Sequence, residues 1–347
     1  MILRRSRNRV AIELGSSEIR LVAMEGAPGT ARIVALGRER LEPGAIVAGE
    51  VMDYHLVVTS LKALRQRLGV RSKSVATSVS GRDVIVKRIK MDRMQEAEAR
   101  QVIRWEAEQH IPFDMDSVSL DFEILDPEAD GLQMEVLLVA AKKELVETRV
   151  RLLEEAGLET AVIDINAFAV QAAFEHNYEH AAYGTFCLVN IGHETTSLSL
   201  VEAGRPLLTR DIAVGRRRFA EALGGALNLT IEEAERRLQG EGAFDHGANQ
   251  PLQEAMDSIV TPIERARNFL DTGETEHNVI DEVVVSGEGV GIPGLKAAIA
   301  DRIKTPVTVL DPCRAVEWAP GLTGAAGGPH ERAALAVAVG LALRGRN

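Results

Sequence analysis

The chain has 347 residues, which is enough for two domains or for one large domain with a sizeable core. Hydrophobic residues make up 46% and charged residues 26%, a composition typical of soluble globular proteins that excludes wholesale disorder. The net charge of -11 argues against nucleic-acid binding, which usually needs a basic surface. The basic N-terminus is interpreted as a solvated end rather than a membrane contact; it contains Arg4, Arg5, Arg7 and Arg9.

Strand and helix patterns alternate along the first part of the chain. Apolar spacing predicts a helix over 56–68, ended by Gly69, and a strand over 74–79. The next segment is predicted to be a small α+β insertion of about 75 residues. It contains strands over 83–89, 117–125 and 133–140, a charged helix over 95–109 and a helix over 143–156.

The alternation continues after the insertion. The patterns predict a strand over 161–165, a helix over 167–175, a hairpin over 187–200 and a strand over 207–212. Gly215 opens a helix, Thr230 and Glu233 form a capping box, and further elements follow over 252–270, 282–285 and 295–302. The final helix, 331–343, is so rich in alanine that we expect another helix to approach it closely.

The cysteines and the apolar runs exclude several classes of protein. Cys187 and Cys313 lie far apart without ligand-like spacing, so neither a disulfide framework nor a zinc site is predicted. The longest apolar run, 333–343, is shorter than the roughly 20 residues that span a bilayer, and no signal peptide is recognisable. We therefore expect a cytoplasmic protein.

Three glycine turns carry the chemistry. Two are strand-turn-strand hairpins in which an acid or amide, Glu13 or Asn190, stands two residues before Gly15 or Gly192. Backbone amides at such turns can point at phosphate oxygens because no Cβ lies in front of them. The third turn, 286–294, reads Gly-x-Gly-x-Gly rather than the Rossmann fingerprint, and no Walker loop occurs in the chain. Each turn alone is a weak signal, but together they favour a nucleotide cleft.

Two hairpins followed by a late strand-glycine-helix turn resemble the actin, Hsp70 and sugar-kinase superfamily. Over nearly its full length the chain resembles more specifically the PilM family of actin-like type IV pilus assembly proteins. The helix that ends in Ile111, Pro112 and Phe113 is the most specific signal. The segments that carry the resemblance are 10–22, 44–53, 100–113, 164–174, 188–200, 283–295 and 332–343.

The resemblance implies an α/β, actin-like (ribonuclease-H-like) two-domain fold with an inserted small α+β subdomain. The first actin-like subdomain, 1A, would comprise 1–76 with 155–182 and 330–347, and the inserted subdomain, 1C, would comprise 77–154. The second actin-like subdomain, 2A, would comprise 183–215 with 275–329, and 216–274 would form the helical subdomain 2B.

The resemblance also implies a cytoplasmic ATP-binding scaffold of type IV pilus biogenesis. Such a protein binds the N-terminal tail of the inner-membrane protein PilN in a groove between subdomains 1A and 1C. It thereby couples the cytoplasmic side of the machine to the alignment complex and is peripheral to the inner membrane through its partner, without inserting itself. Pilus motor or platform proteins are further candidate partners, and the pathway serves twitching motility.

The cofactors implied are ATP and Mg²⁺. Glu13 would hold the metal through water. The residues expected to bind the nucleotide are Gly15, Ser16, Ser17, Arg20, Gly192, Thr195, Gly215, Glu235, Gly287, Glu288 and Gly289. Glu235 matches the acidic residue that binds the ribose, and Glu288 is expected near the base or ribose.

Several positions depart from the superfamily pattern. Glu13 and Asn190 stand where the superfamily has Asp, and a neutral amide cannot act as a base. His193 and Glu194 replace small residues of the second hairpin turn. The adjacent glycines of two further turns are interrupted by Arg216, which follows Gly215, and by Glu288, which follows Gly287. We therefore expect a nucleotide-binding scaffold that is at most a weak ATPase, with no catalytic residue assigned.

Other interpretations stay open at this point. A cell-division tether like FtsA would need a C-terminal amphipathic helix, and a type II secretion protein would need a following transmembrane segment. An actin-fold ATPase or small-molecule kinase would need a catalytic Asp in the cleft. His176 and His180 are interpreted as a solvated helix end rather than metal ligands. Trp105 and Phe113 form either an aromatic peptide platform or the core of the insertion.

Overall fold

The computed structural model describes residues 9–26, 30–127, 130–238, 249–270, 279–322 and 324–344. The strands in chain order are β1 (Arg9–Leu14), β2 (Glu18–Glu25), β3 (Arg32–Arg40), β4 (Ile46–Val47), β5 (Glu50–Val51), β6 (Ser74–Val79), β7 (Val84–Asp92), β8 (Val118–Ile124), β9 (Gln133–Lys142), β10 (Glu159–Ile165), β11 (Thr185–Ile191), β12 (Thr196–Glu202), β13 (Arg205–Ile212), β14 (Glu282–Ser286), β15 (Val307–Val309) and β16 (Glu317–Trp318). The helices are α1 (Tyr54–Arg67), α2 (Glu96–Glu108), α3 (Lys143–Glu155), α4 (Asn166–Asn177), α5 (Arg216–Leu227), α6 (Ile231–Leu238), α7 (Asn249–Leu270), α8 (Leu295–Ile303), α9 (Pro329–Ala333) and α10 (Ala336–Arg344).

Two sheets repeat one topology. In the first, β1, β2 and β3 form an antiparallel meander, and β6 and β10 continue the sheet in parallel on the other side of β1. In the second, β11, β12 and β13 form the meander, and β14 and β15 are the parallel strands. The sheet with β1 and the sheet with β11 are called the first and second half below. This repeat is the duplication that the two hairpins predicted.

Helices α4 and α10 pack between the two sheets. One core cluster unites Ala11 of β1, Leu188 of β11 and the apolar faces of both helices. A Cβ on Gly340 of α10 would lie well under 3.0 Å from the backbone of Ala169 in α4, so the two helices touch through main-chain atoms. The close helix approach predicted from the alanine-rich sequence is confirmed. Because this core contacts both sheets, it joins the two halves.

The outer faces of the sheets are covered by the remaining helices. The first half buries Ile12 and Leu21 against Leu61 of α1 and Leu152 of α3. The second half buries strands β11 and β14 against α5, α7 and α8, with Phe219 and Ile259 completely enclosed. Both sheets are thus apolar on both faces, which explains the continuous apolar runs of their central strands.

The predicted insertion forms a third sheet of order β7-β9-β8, with α2 packed against it. Helix α2 has a charged sequence, and only one of its faces is buried, through Ala99, Ile103 and Ala107. Phe113 packs on this core, whereas Trp105 is 76% exposed. The core interpretation therefore holds for Phe113 and is wrong for Trp105.

The structure corrects two subdomain boundaries. Strand β6 crosses the boundary predicted at 76–77, because Val79 still pairs with Ile165 of β10. Strand β16, which was assigned with 275–329 to subdomain 2A, pairs with Arg32 and Ile33 at the edge of the first sheet. The rest of the subdomain division stays a prediction.

The predicted helix over 331–343 is divided into α9 and α10. The carbonyl of Ala333 accepts a hydrogen bond of 3.0 Å from the amide of Gly287, and Leu335 bonds to Arg332 in a tighter turn. The helical ladder is interrupted because one of its carbonyls is used by the second half. This contact also anchors the turn that follows β14.

Candidate functional site

The two hairpin turns have matching geometry. The first turn (15–18) is closed by the Gly15 amide bonding to the Glu18 carbonyl at 3.1 Å. The second turn (192–195) is closed by the Gly192 amide bonding to the Thr195 carbonyl at 2.9 Å. Within the described residues, no hydrogen bond uses the amides of the two residues that follow each glycine, Ser16 and Ser17 or His193 and Glu194. Both turns therefore present free backbone donors, which suit an anion.

The third turn (287–291) packs on the end of β11. Gly287 has φ +88°, and a Cβ there would collide with the carbonyl of Ile191. Gly289 is pressed against the Ile191 side chain in the same way. The third turn thus packs closely on the last residue of β11, and this packing within the second half requires both glycines.

Gly215 precedes α5 and lies against the second turn. A Cβ on Gly215 would meet the backbone of Gly192 and His193, so only glycine fits there. The Arg216 amide donates to the Gly192 carbonyl at 2.9 Å, and its guanidinium donates to the Glu235 carbonyl at 3.0 Å. The predicted ribose residue, Glu235, is in this way brought to the same end of the second half.

A buried arginine occupies the centre of the predicted site. Arg20 is 3% exposed and makes three ion pairs. Its Nη1 lies 2.6 Å from Oε1 of Glu13, its Nε lies 2.7 Å from Oε1 of Glu18, and its Nη2 lies 2.5 Å from Oε1 of Glu288. The hydroxyl of Ser17 donates to the same oxygen of Glu288 at 2.6 Å. Arg20, predicted as a cation for phosphate, thus has a carboxylate partner on each of its three guanidinium nitrogens.

Burial and crowding shift the titration of this cluster. Burial raises the pKa of Glu13 to about 7, although Arg20 opposes the shift, and the carboxylates of Glu288 and Glu18 add to it. Burial alone would also raise the pKa of Glu288, but Arg20 and Ser17 hold it below its ordinary value. Burial lowers the pKa of Arg20, yet its three carboxylate partners raise it overall. Glu288 is therefore more firmly ionised at neutral pH than Glu13.

The strand ends behind the turns differ between the halves. Glu13 is the last residue but one of β1; its Oε1 accepts from Arg20, and its Oε2 is buried without a hydrogen-bond partner among the described residues. Asn190, at the matching place in β11, accepts a hydrogen bond of 3.0 Å from the Ser286 hydroxyl. The first strand end thus carries an unsatisfied carboxylate oxygen, and the second an amide whose oxygen accepts a hydrogen bond.

His193 lies between two carboxylates. Its Nε2 is 3.8 Å from Glu235, and its Nδ1 is 3.8 Å from Oε2 of Glu288. Glu288, expected near the base or ribose, in fact extends to the first turn. Contacts therefore run from Glu235 of α6 to His193, from His193 to Glu288 and from Glu288 to Arg20.

Two further carboxylates of the second half reach the first half. Glu194 accepts from the Ala48 amide at 2.7 Å and pairs with Arg217, and Asp211 accepts from the Gly81 amide at 2.5 Å. Neither Asp211 nor these amides are among the predicted site residues. Asp211 lies in the edge strand β13 and belongs to no sequence motif, so no local pattern could have predicted its contact with Gly81.

The donor set fits a nucleoside polyphosphate with a magnesium ion. Free turn amides, the Ser17 hydroxyl and the Arg20 guanidinium suit phosphate oxygens, and the unsatisfied oxygen of Glu13 suits a hydrated cation. In this structure Glu288 already uses Ser17 and one nitrogen of Arg20. Across the part of the chain that the structure describes, no group of three or more His, Cys, Asp or Glu could hold a metal directly.

The remaining sequence predictions concern histidines, cysteines and membrane spans. His180 lies beyond the end of α4, 3.3 Å from Glu282 and edge-on to Phe174, so it is not on one helix face with His176. Both cysteines are free and buried. In the described ranges, no helix is long and apolar enough to cross a bilayer.

Comparisons with known proteins agree with this fold. A family model described as type IV pilus assembly protein PilM matches residues 11–346. A chain of the PilM-PilN type IV pilus biogenesis complex is 27% identical, with a TM-score of 0.86 over 97% of this chain and 98% of that one.

More distant relatives extend the comparison. Cell division protein FtsA of Bacillus subtilis is 22% identical over 351 residues, which cover 87% of this chain and 78% of FtsA. MreB5 of Spiroplasma citri, solved bound to ADP, is 14% identical with a TM-score of 0.52 over 96% of this chain and 94% of MreB5. These likenesses show the actin-like fold, and the family match over almost the whole chain shows that this protein belongs to the PilM family of type IV pilus assembly proteins.

Proposed function

We propose that this protein is an ATP-binding actin-like scaffold of type IV pilus biogenesis that binds the N-terminal tail of PilN. The observation that carries the proposal is its likeness, over 97% of the chain, to a component of the PilM-PilN complex. Binding a membrane protein's tail makes the scaffold peripheral to the inner membrane on the cytoplasmic side. From there it couples the cytoplasmic part of the machine, including the motor or platform proteins, to the alignment complex.

The PilN tail binds in the groove between subdomains 1A and 1C. The hairpin formed by β4 and β5 borders this groove, because the carbonyl of Gly49 accepts from Arg149 of α3 at 3.3 Å and Gly49 packs on Ser80. Val47 is 39% exposed and Met52 is 65% exposed beside this contact. Apolar side chains at the mouth of a groove suit an extended peptide with apolar anchors.

Arg149 strengthens this assignment of the groove. It is 2% exposed, its Nη1 has no partner among the described residues, and burial lowers its pKa to about 10. A buried guanidinium with an unused donor is costly unless a ligand satisfies it. A peptide carbonyl or carboxylate of the PilN tail would supply that acceptor.

Calorimetry with a synthetic N-terminal peptide of the cognate PilN tests the partner. We expect binding by the wild-type protein and at least tenfold weaker binding by Val47→Asp and Met52→Asp. Leu132→Asp is the matched control, since Leu132 is 91% exposed on the loop between β8 and β9. No binding by the wild type would overturn the proposed function, and equal losses in all three variants would overturn the groove.

The nucleotide part of the proposal assigns roles to the residues of the cleft. Ser17, Arg20 and the amides of the two hairpin turns would hold the phosphates, and Glu13 would hold the magnesium ion through water. Bound Mg-ATP supplies a polyanion that both halves can grip. Asn190 cannot take a proton from an attacking water, so hydrolysis is slow or absent.

Calorimetry with Mg-ATP and a phosphate-release assay separate binding from turnover. We expect measurable binding and a turnover far below the typical enzyme range of about 1 to 1000 per second. Rapid magnesium-dependent turnover that Glu13→Ala abolishes would contradict the scaffold assignment. Repeating the PilN titration with and without Mg-ATP shows whether nucleotide controls partner binding.

A further inference from the structure

We propose that Glu288 is an internal competitor for the nucleotide phosphates: its carboxylate holds Ser17 and Arg20 across the cleft and must leave before a polyphosphate binds. The contact of Glu288 with Ser17 and Arg20 is called the Glu288 latch below. This inference rests on the nucleotide part of the proposed function.

The latch uses the single hydroxyl proton of Ser17 and one N–H group of Arg20. Ser17 has one hydroxyl proton, which it donates to Oε1 of Glu288 at 2.6 Å. Arg20 directs Nη1 to Glu13, Nε to Glu18 and Nη2 to Glu288. Three of the five guanidinium N–H groups thus serve carboxylates, and a phosphate that replaces Glu288 gains one of these three together with the Ser17 proton.

Glu288 is the partner whose release frees most. Glu13 and Glu18 lie on the same hairpin as Arg20, whereas Glu288 belongs to the second half, 268 residues away from Arg20. Its departure frees Nη2 of Arg20 and the Ser17 hydroxyl together. It also leaves two carboxylates instead of three around one guanidinium, which reduces the repulsion of an incoming polyanion.

A second position for the carboxylate lies next to the latch. Nδ1 of His193 is 3.8 Å from Oε2 of Glu288, the oxygen that Ser17 and Arg20 do not use. A rotation of the side chain toward His193 therefore exchanges one partner for another. The carboxylate does not have to enter solvent alone when the phosphate arrives.

The latch is separate from the other contacts between the halves. Asp211 binds the Gly81 amide and the Ser197 hydroxyl, neither of which is offered to phosphate. Loss of the Asp211 contact would loosen the halves without freeing Ser17 or Arg20. Asp211→Ala, which removes this contact, is therefore the matched control that distinguishes competition from general loosening.

Calorimetric titration of the full chain with Mg-ATP tests the latch. We expect Glu288→Ala to bind at least tenfold more tightly than wild type, and Glu288→Gln to gain less because its amide oxygen still accepts from Ser17. Asp211→Ala should stay within twofold of wild type. Without nucleotide, hydrogen exchange of the 15–20 segment should rise in Glu288→Ala. Equal or weaker binding by Glu288→Ala, or an equal gain in Asp211→Ala, would overturn the latch.

The two proposals fail in different ways. If neither wild type nor Glu288→Ala binds Mg-ATP, the latch and the nucleotide part of the function are both overturned, while PilN peptide binding still reports on the scaffold. If wild type binds Mg-ATP and Glu288→Ala gains nothing, only the latch is overturned. The stability of Glu288→Ala to urea is measured in parallel, so that a loss of binding through unfolding is recognised.

Discussion

Gly340 offers a sharp test of how the two halves are joined. A Cβ at this position would lie well under 3.0 Å from the main chain of Ala169, and backbone atoms cannot rotate away as a side chain can. To accept Gly340→Ala, helices α4 and α10 would have to separate by roughly 1–2 Å in a fully buried core. Overpacking of this kind costs about 1–3 kcal/mol or more.

The substitution also has a favourable component. Alanine in a helix interior is better than glycine by about 1 kcal/mol. Because a backbone clash lies at the upper end of the overpacking range, we expect Gly340→Ala to destabilise the protein by about 2 kcal/mol net. Gly225→Ala in α5 is the matched control: Gly225 is exposed, and a Cβ there would meet no described atom within 4 Å. This control should gain about 0.5–1 kcal/mol.

Urea unfolding monitored by circular dichroism measures both variants, with the slope checked so that midpoints are compared at equal cooperativity. The expected order of midpoints is Gly225→Ala, wild type, Gly340→Ala. If Gly340→Ala is as stable as the wild type, the close contact between α4 and α10 is wrong. If Gly225→Ala and Gly340→Ala lose stability equally, the free space around each glycine does not determine the effect of adding a Cβ.

Three further predictions follow from burial and capping. Folding raises the pKa of Glu13 from 4.5 to about 7, so its contribution to stability is complete below pH 4.5 and is lost as pH rises through 7. Without metal or nucleotide, the free energy of unfolding should therefore fall by up to about 3 kcal/mol between pH 4.5 and pH 7. Glu13→Gln should flatten that profile, and an unchanged profile would contradict the assignment. Burial raises the pKa of the Cys187 and Cys313 thiols to about 12, so a thiol reagent at pH 8 should label them only after unfolding; rapid labelling of the native protein would exclude their burial. Thr230→Ala should cost about 1 kcal/mol of stability in the urea assay by removing the cap of α6, whereas Thr230→Ser should cost little.

The elements predicted from the sequence are those with a local cause. Turn glycines fix the two hairpins, and the capping box at Thr230 forms as its spacing predicts. Strand β3 was not predicted, because charged residues at its end and Gly37 within it weaken the strand pattern. Strand β16 has only two residues, too few for any periodicity.

The contacts that make the site are non-local, and for that reason the sequence could not supply them. Ser17 and Glu288 are 271 residues apart, Ala48 and Glu194 are 146 apart, and Gly81 and Asp211 are 130 apart. The resemblance predicted that the glycine turns lie close together, but it did not predict which side chain fills the space between them. The position of Glu288 depends on an interrupted glycine pair, whose consequence appears only when both halves are placed together.

The second half departs from the superfamily pattern at Asn190, where a carboxylate is lost, and at Glu288, where one is gained. At the strand end of the second half, where the superfamily pattern has Asp, Asn190 bonds to Ser286 within its own half and offers no charge to a cation. At the third turn, where the pattern has glycine, Glu288 adds a carboxylate that reaches Arg20 in the other half. Glu288 thus holds the halves together, while the strand end of the second half carries no carboxylate. Under the proposed function, a cleft arranged in this way would couple nucleotide binding to the contact between the halves more directly than to hydrolysis.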